Sequence, residues 1–76
     1  SEDEMRLIAL DVMKRSGVVD GALERQAMEL YQTNPPDRIV SRVTQLIAQK
    51  FGGVTMTTFC ELAAEAMVAN LRKVTP

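Results

Sequence analysis

The adjacent prolines Pro35 and Pro36, in the stretch TNPPD, constrain this chain more than any other feature. Proline has no amide proton, and it pushes the residue before it out of the helical conformation, so no helix runs through this point. Gly17 and the pair Gly52 and Gly53 supply two further breaks. The segments between these breaks carry the apolar spacing of helices. The β-branched pieces GVV and GVTM are too short for more than turns or a single bridge.

Each segment also has helical ends. Ser1 stands three residues before Glu4, the spacing of a capping box, and the acidic first turn suits the positive end of a helix dipole. Met5, Ile8, Ala9 and Val12 recur on one face and predict the inner stripe of this first helix, with Leu7 and Leu10 off it. Lys14, Arg15 and Gly17 form a basic last turn and a terminator. In the second helix Asp20 is the expected N-cap, with Leu23, Ala27, Leu30 and Tyr31 inward. Pro36 opens the third helix, where a missing amide proton removes no helical bond. Its inner stripe is Ile39, Val43, Leu46 and Ile47, helped by Val40 and Phe51, and the glycine pair ends it. The fourth helix starts within residues 55–58, with Thr55 and Thr58 as competing N-caps, and ends on Arg72 and Lys73.

The reading is therefore all-α: one domain over residues 1–76, a compact four-helix fold of two helical hairpins with short loops. The helices are expected at roughly 2–16, 20–33, 36–51 and 56–73. Ser1, where an initiator methionine would stand, is expected of a trimmed or excised chain.

Composition narrows the chemistry. A chain of 76 residues buries about 60% of its unfolded surface, so stability is expected to be modest. Apolar residues make up 46% and charged residues 25%, a globular balance rather than a disordered one. With one cysteine and no histidine the chain has no internal disulfide and no metal framework. No metal, no cofactor and a reducing, cytoplasmic setting are expected. No apolar run approaches the ~18 residues needed to span a bilayer. Net charge is −1, split between −4 for residues 1–37 and +3 for residues 38–76. Opposed halves can attract each other within the fold or between copies.

The same inventory argues against an enzyme. Without histidine, Cys60 has no ordinary activating base, and Glu61 beside it opposes a thiolate, so Cys60 is read as packing. Glu61 and Glu65 read as a solvated face rather than metal ligands. Met5, Met28 and Met67 sit at core spacing and read as gap-fillers. No small-molecule substrate is evident.

A partner surface is the leading expectation. The fourth helix is apolar around most of its circumference, with only Glu61, Glu65 and Arg72 forming a polar strip. Such a helix is either the central helix of the bundle or, where three neighbours in so small a domain leave part of it uncovered, an interface. With the off-stripe leucines of the first helix, this places a protein-partner or homodimer interface at Leu7, Leu10, Cys60, Ala64, Val68 and Leu71. The alternative is a DNA-binding regulator using a degenerate helix-turn-helix over residues 44–62. Arg38, Arg42 and Lys50 would contact the phosphate backbone, and Thr57 and Thr58 would face the groove. The pI of about 5.3 and the carboxylates Glu61 and Glu65 on the reading helix disfavour it.

Overall fold

The computed structural model describes residues 1–52 and 57–75. They form four helices: α1 (Glu2–Arg15), α2 (Gly21–Thr33), α3 (Pro36–Phe51) and α4 (Thr57–Val74). There is no strand among the described residues. The radius of gyration, 11.3 Å, matches the roughly 11 Å expected of a compact domain of this length.

The local signals act where the sequence places them. Ser1 Oγ accepts the amide proton of Glu4 at 3.3 Å, and the Asp20 carboxylate accepts that of Leu23 at 2.9 Å, each satisfying a donor left free in a first turn. Pro36 opens α3. Gly52 closes it at φ 84° in the left-handed region, its N–H donating to the Ala48 carbonyl at 2.8 Å. Gly53, the other half of the expected stop, lies outside the described residues, as does Thr55. Thr58 lies inside α4 rather than capping it.

α4 is the hub. It packs against α1, α3 and the edge of α2, and α2 packs mainly against α3. Cys60, Ala63, Ala64, Ala66, Met67 and Val68 are all buried, so most of the circumference of α4 lies inside the domain. Its alanines allow the neighbours to come close. From α3 come Ile39, Val43 and Ile47, from α2 Leu23 and Ala27, and Val19 fills the turn before α2. These stripes are the ones the periodicity predicts. Thr44 joins the α3 face without leaving a polar group unpaired, because its hydroxyl donates to the Val40 carbonyl at 2.7 Å.

α1 departs from expectation. Its buried residues are Ala9, Leu10 and Met13, not the stripe of Met5, Ile8 and Val12. The apolar arc of α1 is wide enough to offer either face, with Ala9 shared between them. The face that carries Arg6 meets α4, where Arg6 Nε donates to Glu65 Oε2 at 3.3 Å. Met5, read as a gap-filler, is left outside, whereas Met13 and Met67 fill the core.

Candidate functional site

The rotation of α1 defines the most distinctive surface of the domain. Met5, Ile8 and Val12, at i, i+3 and i+7, lie on one side of the helix and are 55%, 59% and 43% exposed. Ala9, beside them, is fully buried, so the stripe borders the core on one side. Along the other edge run Glu4, Asp11 and Arg15, spaced i, i+7 and i+11. All three are exposed, and Arg15 Nε bonds Asp11 at 3.0 Å. Single exposed apolar residues are ordinary on a protein surface. Three in line on one helix are less so.

The helix is held in this rotation from its opposite side. Arg6 bonds Asp3 at 2.9 Å and Glu2 at 3.3 Å within α1, and reaches Glu65 on α4. Partial burial works against the guanidinium charge, but the hydrogen bond to Glu65 and the carboxylates of Glu65, Glu2 and Asp3 outweigh it, raising its pKa.

The six residues expected at a partner interface divide unequally. Leu10, Cys60, Ala64 and Val68 lie in the core and are not presented to a partner in this conformation. They occupy sides of α1 and α4 that the helices use against each other and against α3. Cys60 is a packing residue, and burial pushes its thiol pKa up. Leu71 is half-buried beside an apolar recess of 210 Å³ that it lines with Leu10, Met67 and Val74, smaller than the roughly 300–1,000 Å³ of small-molecule sites. Only Leu7 is broadly open, at 59% exposed, in a shallow recess with Ala66, Ala69 and Lys73. Sequence reasoning found the stripe of Met5, Ile8 and Val12 but assigned it to the core, because helical spacing marks an apolar face without saying which side is covered. The available signal was Met13, which with Ala9 and Leu10, at i, i+1 and i+4, makes a second apolar face on the same helix.

The residues of the DNA-binding alternative are also scattered. Arg38 and Arg42 lie exposed on one face of α3, where they line a shallow polar groove with Asp37, Ser41 and Gln45. Lys50 is instead paired with Asp20, the N-cap of α2. This ion pair and the Leu23 amide hold the Asp20 carboxyl below the usual carboxylate range. Thr57 and Thr58 are exposed at the start of α4. Cys60 and Ala64, which a reading helix would turn outward with them, are buried. The turn of the helix-turn-helix, residues 53–56, lies outside the described residues.

Among the described residues no group of three or more histidine, cysteine or acidic side chains is placed to hold a metal. No helix there is long and apolar enough to cross a membrane. The fold thus defines an all-α, four-helix domain. Comparison with protein-family models, curated proteins and solved structures gives no significant match.

Proposed function

We propose that this domain is a non-enzymatic protein-interaction module whose contact surface is the α1 stripe of Met5, Ile8 and Val12. One observation carries the reading: three apolar side chains in line, each 43–59% exposed, on a helix whose other apolar face already fills the core. An aliphatic stripe at i, i+3 and i+7 is the pattern an amphipathic helix offers to a second helix or a groove. The contact moves from the sides of α1 and α4 first expected to the far side of α1. A regulatory role in the cytoplasm fits such a module. The sequence holds no histidine to activate the buried Cys60, in keeping with the non-enzymatic reading.

The test is affinity capture from the source cell with wild-type protein and with Ile8→Glu and Val12→Glu. Both positions are exposed, so both variants are expected to keep the native circular dichroism spectrum. Loss of the same captured species in both supports the reading. Identical captured sets from all three proteins overturn it.

A second reading rests on Arg38 and Arg42, one turn apart on an open face of α3 and free of ion pairs with other residues described. Two such cations, with Ser41 and Gln45 between them, suit contact with nucleic-acid phosphates. Titration of a labelled duplex by fluorescence anisotropy tests it. Binding at low salt that is lost in Arg38→Ala/Arg42→Ala supports it, and no binding at low salt ends it.

A further inference from the structure

Resting on the reading of the α1 stripe as a contact surface, we infer that its occupant is a second copy of this chain, with the two α1 helices packed antiparallel across a two-fold axis. A two-fold interface must be self-complementary, the same patch meeting itself reversed. The stripe has that property. Ile8 sits near its middle, with Met5 three residues before and Val12 four residues after. Reversal therefore sets Met5 against Val12 of the second copy and Ile8 against Ile8.

Charge selects the direction. The first turn of α1 carries Glu2, Asp3 and Glu4, and its last turn carries Lys14 and Arg15. Antiparallel packing lays each acidic end on a basic end and opposes the helix dipoles, whereas parallel packing lays acid on acid. Along the charged edge the same relation holds in detail, because a two-fold axis across the helices brings like edges together with their order reversed. Glu4 of each copy then approaches Arg15 of the other. Asp11 lies on that edge too, bonded to Arg15 at 3.0 Å, so Glu4 approaches an Arg15 that it shares with Asp11 of the second copy. Arg6, the remaining cation of α1, is held on the opposite side by Glu65. Within one helix Glu4 and Arg15 are about 16 Å apart along the axis and cannot meet, so their pairing belongs only to the dimer.

The contact is small. Three half-exposed side chains cover far less than the roughly 800 Å² per partner of a standard interface. The dimer is accordingly weak, and it forms as concentration rises.

Sedimentation equilibrium from about 10 µM to about 1 mM tests this, across the range where a weak pair is populated. The wild-type mass is expected to rise from 8.4 kDa toward twice that value. Ile8→Glu is expected to stay monomeric throughout, and Val12→Lys serves as a second such variant should Ile8→Glu lose its helical spectrum. Arg15→Glu is expected to weaken association about tenfold, and adding Glu4→Lys to restore it. A wild-type mass that stays at the monomer value overturns the second copy as occupant, while the capture experiment separately decides whether the face is a contact surface. A dimer indifferent to both Ile8→Glu and Val12→Lys overturns the inference and speaks against that face. Loss in Arg15→Glu without rescue by Glu4→Lys overturns the antiparallel alignment.

Discussion

Truncating Met13 and Ile8 in parallel puts the rotation of α1 to a direct test. Met13 is fully buried, so Met13→Ala removes its packed side chain beyond Cβ and leaves a cavity in the core. Such changes cost about 2–5 kcal/mol, and about 2–3 kcal/mol is expected here, because a core lined by alanines and a second methionine can partly close. A single core of this size supplies on the order of 3–5 kcal/mol, so the variant should lose half or more of its stability. Ile8 is 59% exposed. Only about two-fifths of its transfer free energy is at stake, roughly 1 kcal/mol at most, and the better helix propensity of alanine returns a few tenths. Urea unfolding followed at 222 nm, at low micromolar protein to keep association out of the measurement, should separate the two. With a slope near 1 kcal/mol per M, the midpoint should fall by about 2–3 M for Met13→Ala and by less than about 1 M for Ile8→Ala. The opposite ranking, with Ile8→Ala the severe change, would mean that the stripe of Met5, Ile8 and Val12 faces the core, and both proposals built on it would go.

Gly52→Ala should destabilise by about 1–2 kcal/mol, since φ is 84° while a Cβ would meet nothing within 4 Å, leaving only the left-handed backbone penalty; a melting temperature equal to wild type would contradict that conformation. The Asp20 carboxyl is held low by Lys50 and the Leu23 amide, so its contribution is present above the unfolded carboxylate pKa and is lost as pH falls through the lower folded value. Asp20→Asn should therefore flatten the acid limb of stability against pH, and an unchanged limb would refute the pairing. Cys60 is buried with its pKa raised, so Ellman's reagent should react with it only after denaturant is added; rapid labelling of native protein would show that α4 is open on that side.

The ends of the helices were largely legible in the residues, because they depend on neighbours a few positions away. Ser1 and Asp20 cap where they stand, Pro36 opens α3, and Gly52 closes it. The inner faces of α2 and α3 were legible too, since each has one apolar stripe and a polar remainder. The exposed stripe proposed as a contact surface was not. α1 holds two overlapping stripes, Met5–Ile8–Val12 and Ala9–Leu10–Met13, with equal claim by periodicity. α4 is apolar on most sides, a pattern as consistent with a central helix as with an interface.

The sequence by itself determined four helices and the limits of the first three, since capping and chain-breaking act through hydrogen bonds and backbone angles within a turn. Only the tertiary structure decided that α4 lies at the centre and that α1 turns Met13 inward and Ile8 outward. Burial belongs to pairs of helices: the alanines of α4 admit the face of α1 that also brings Arg6 to Glu65, and the stripe left over becomes surface.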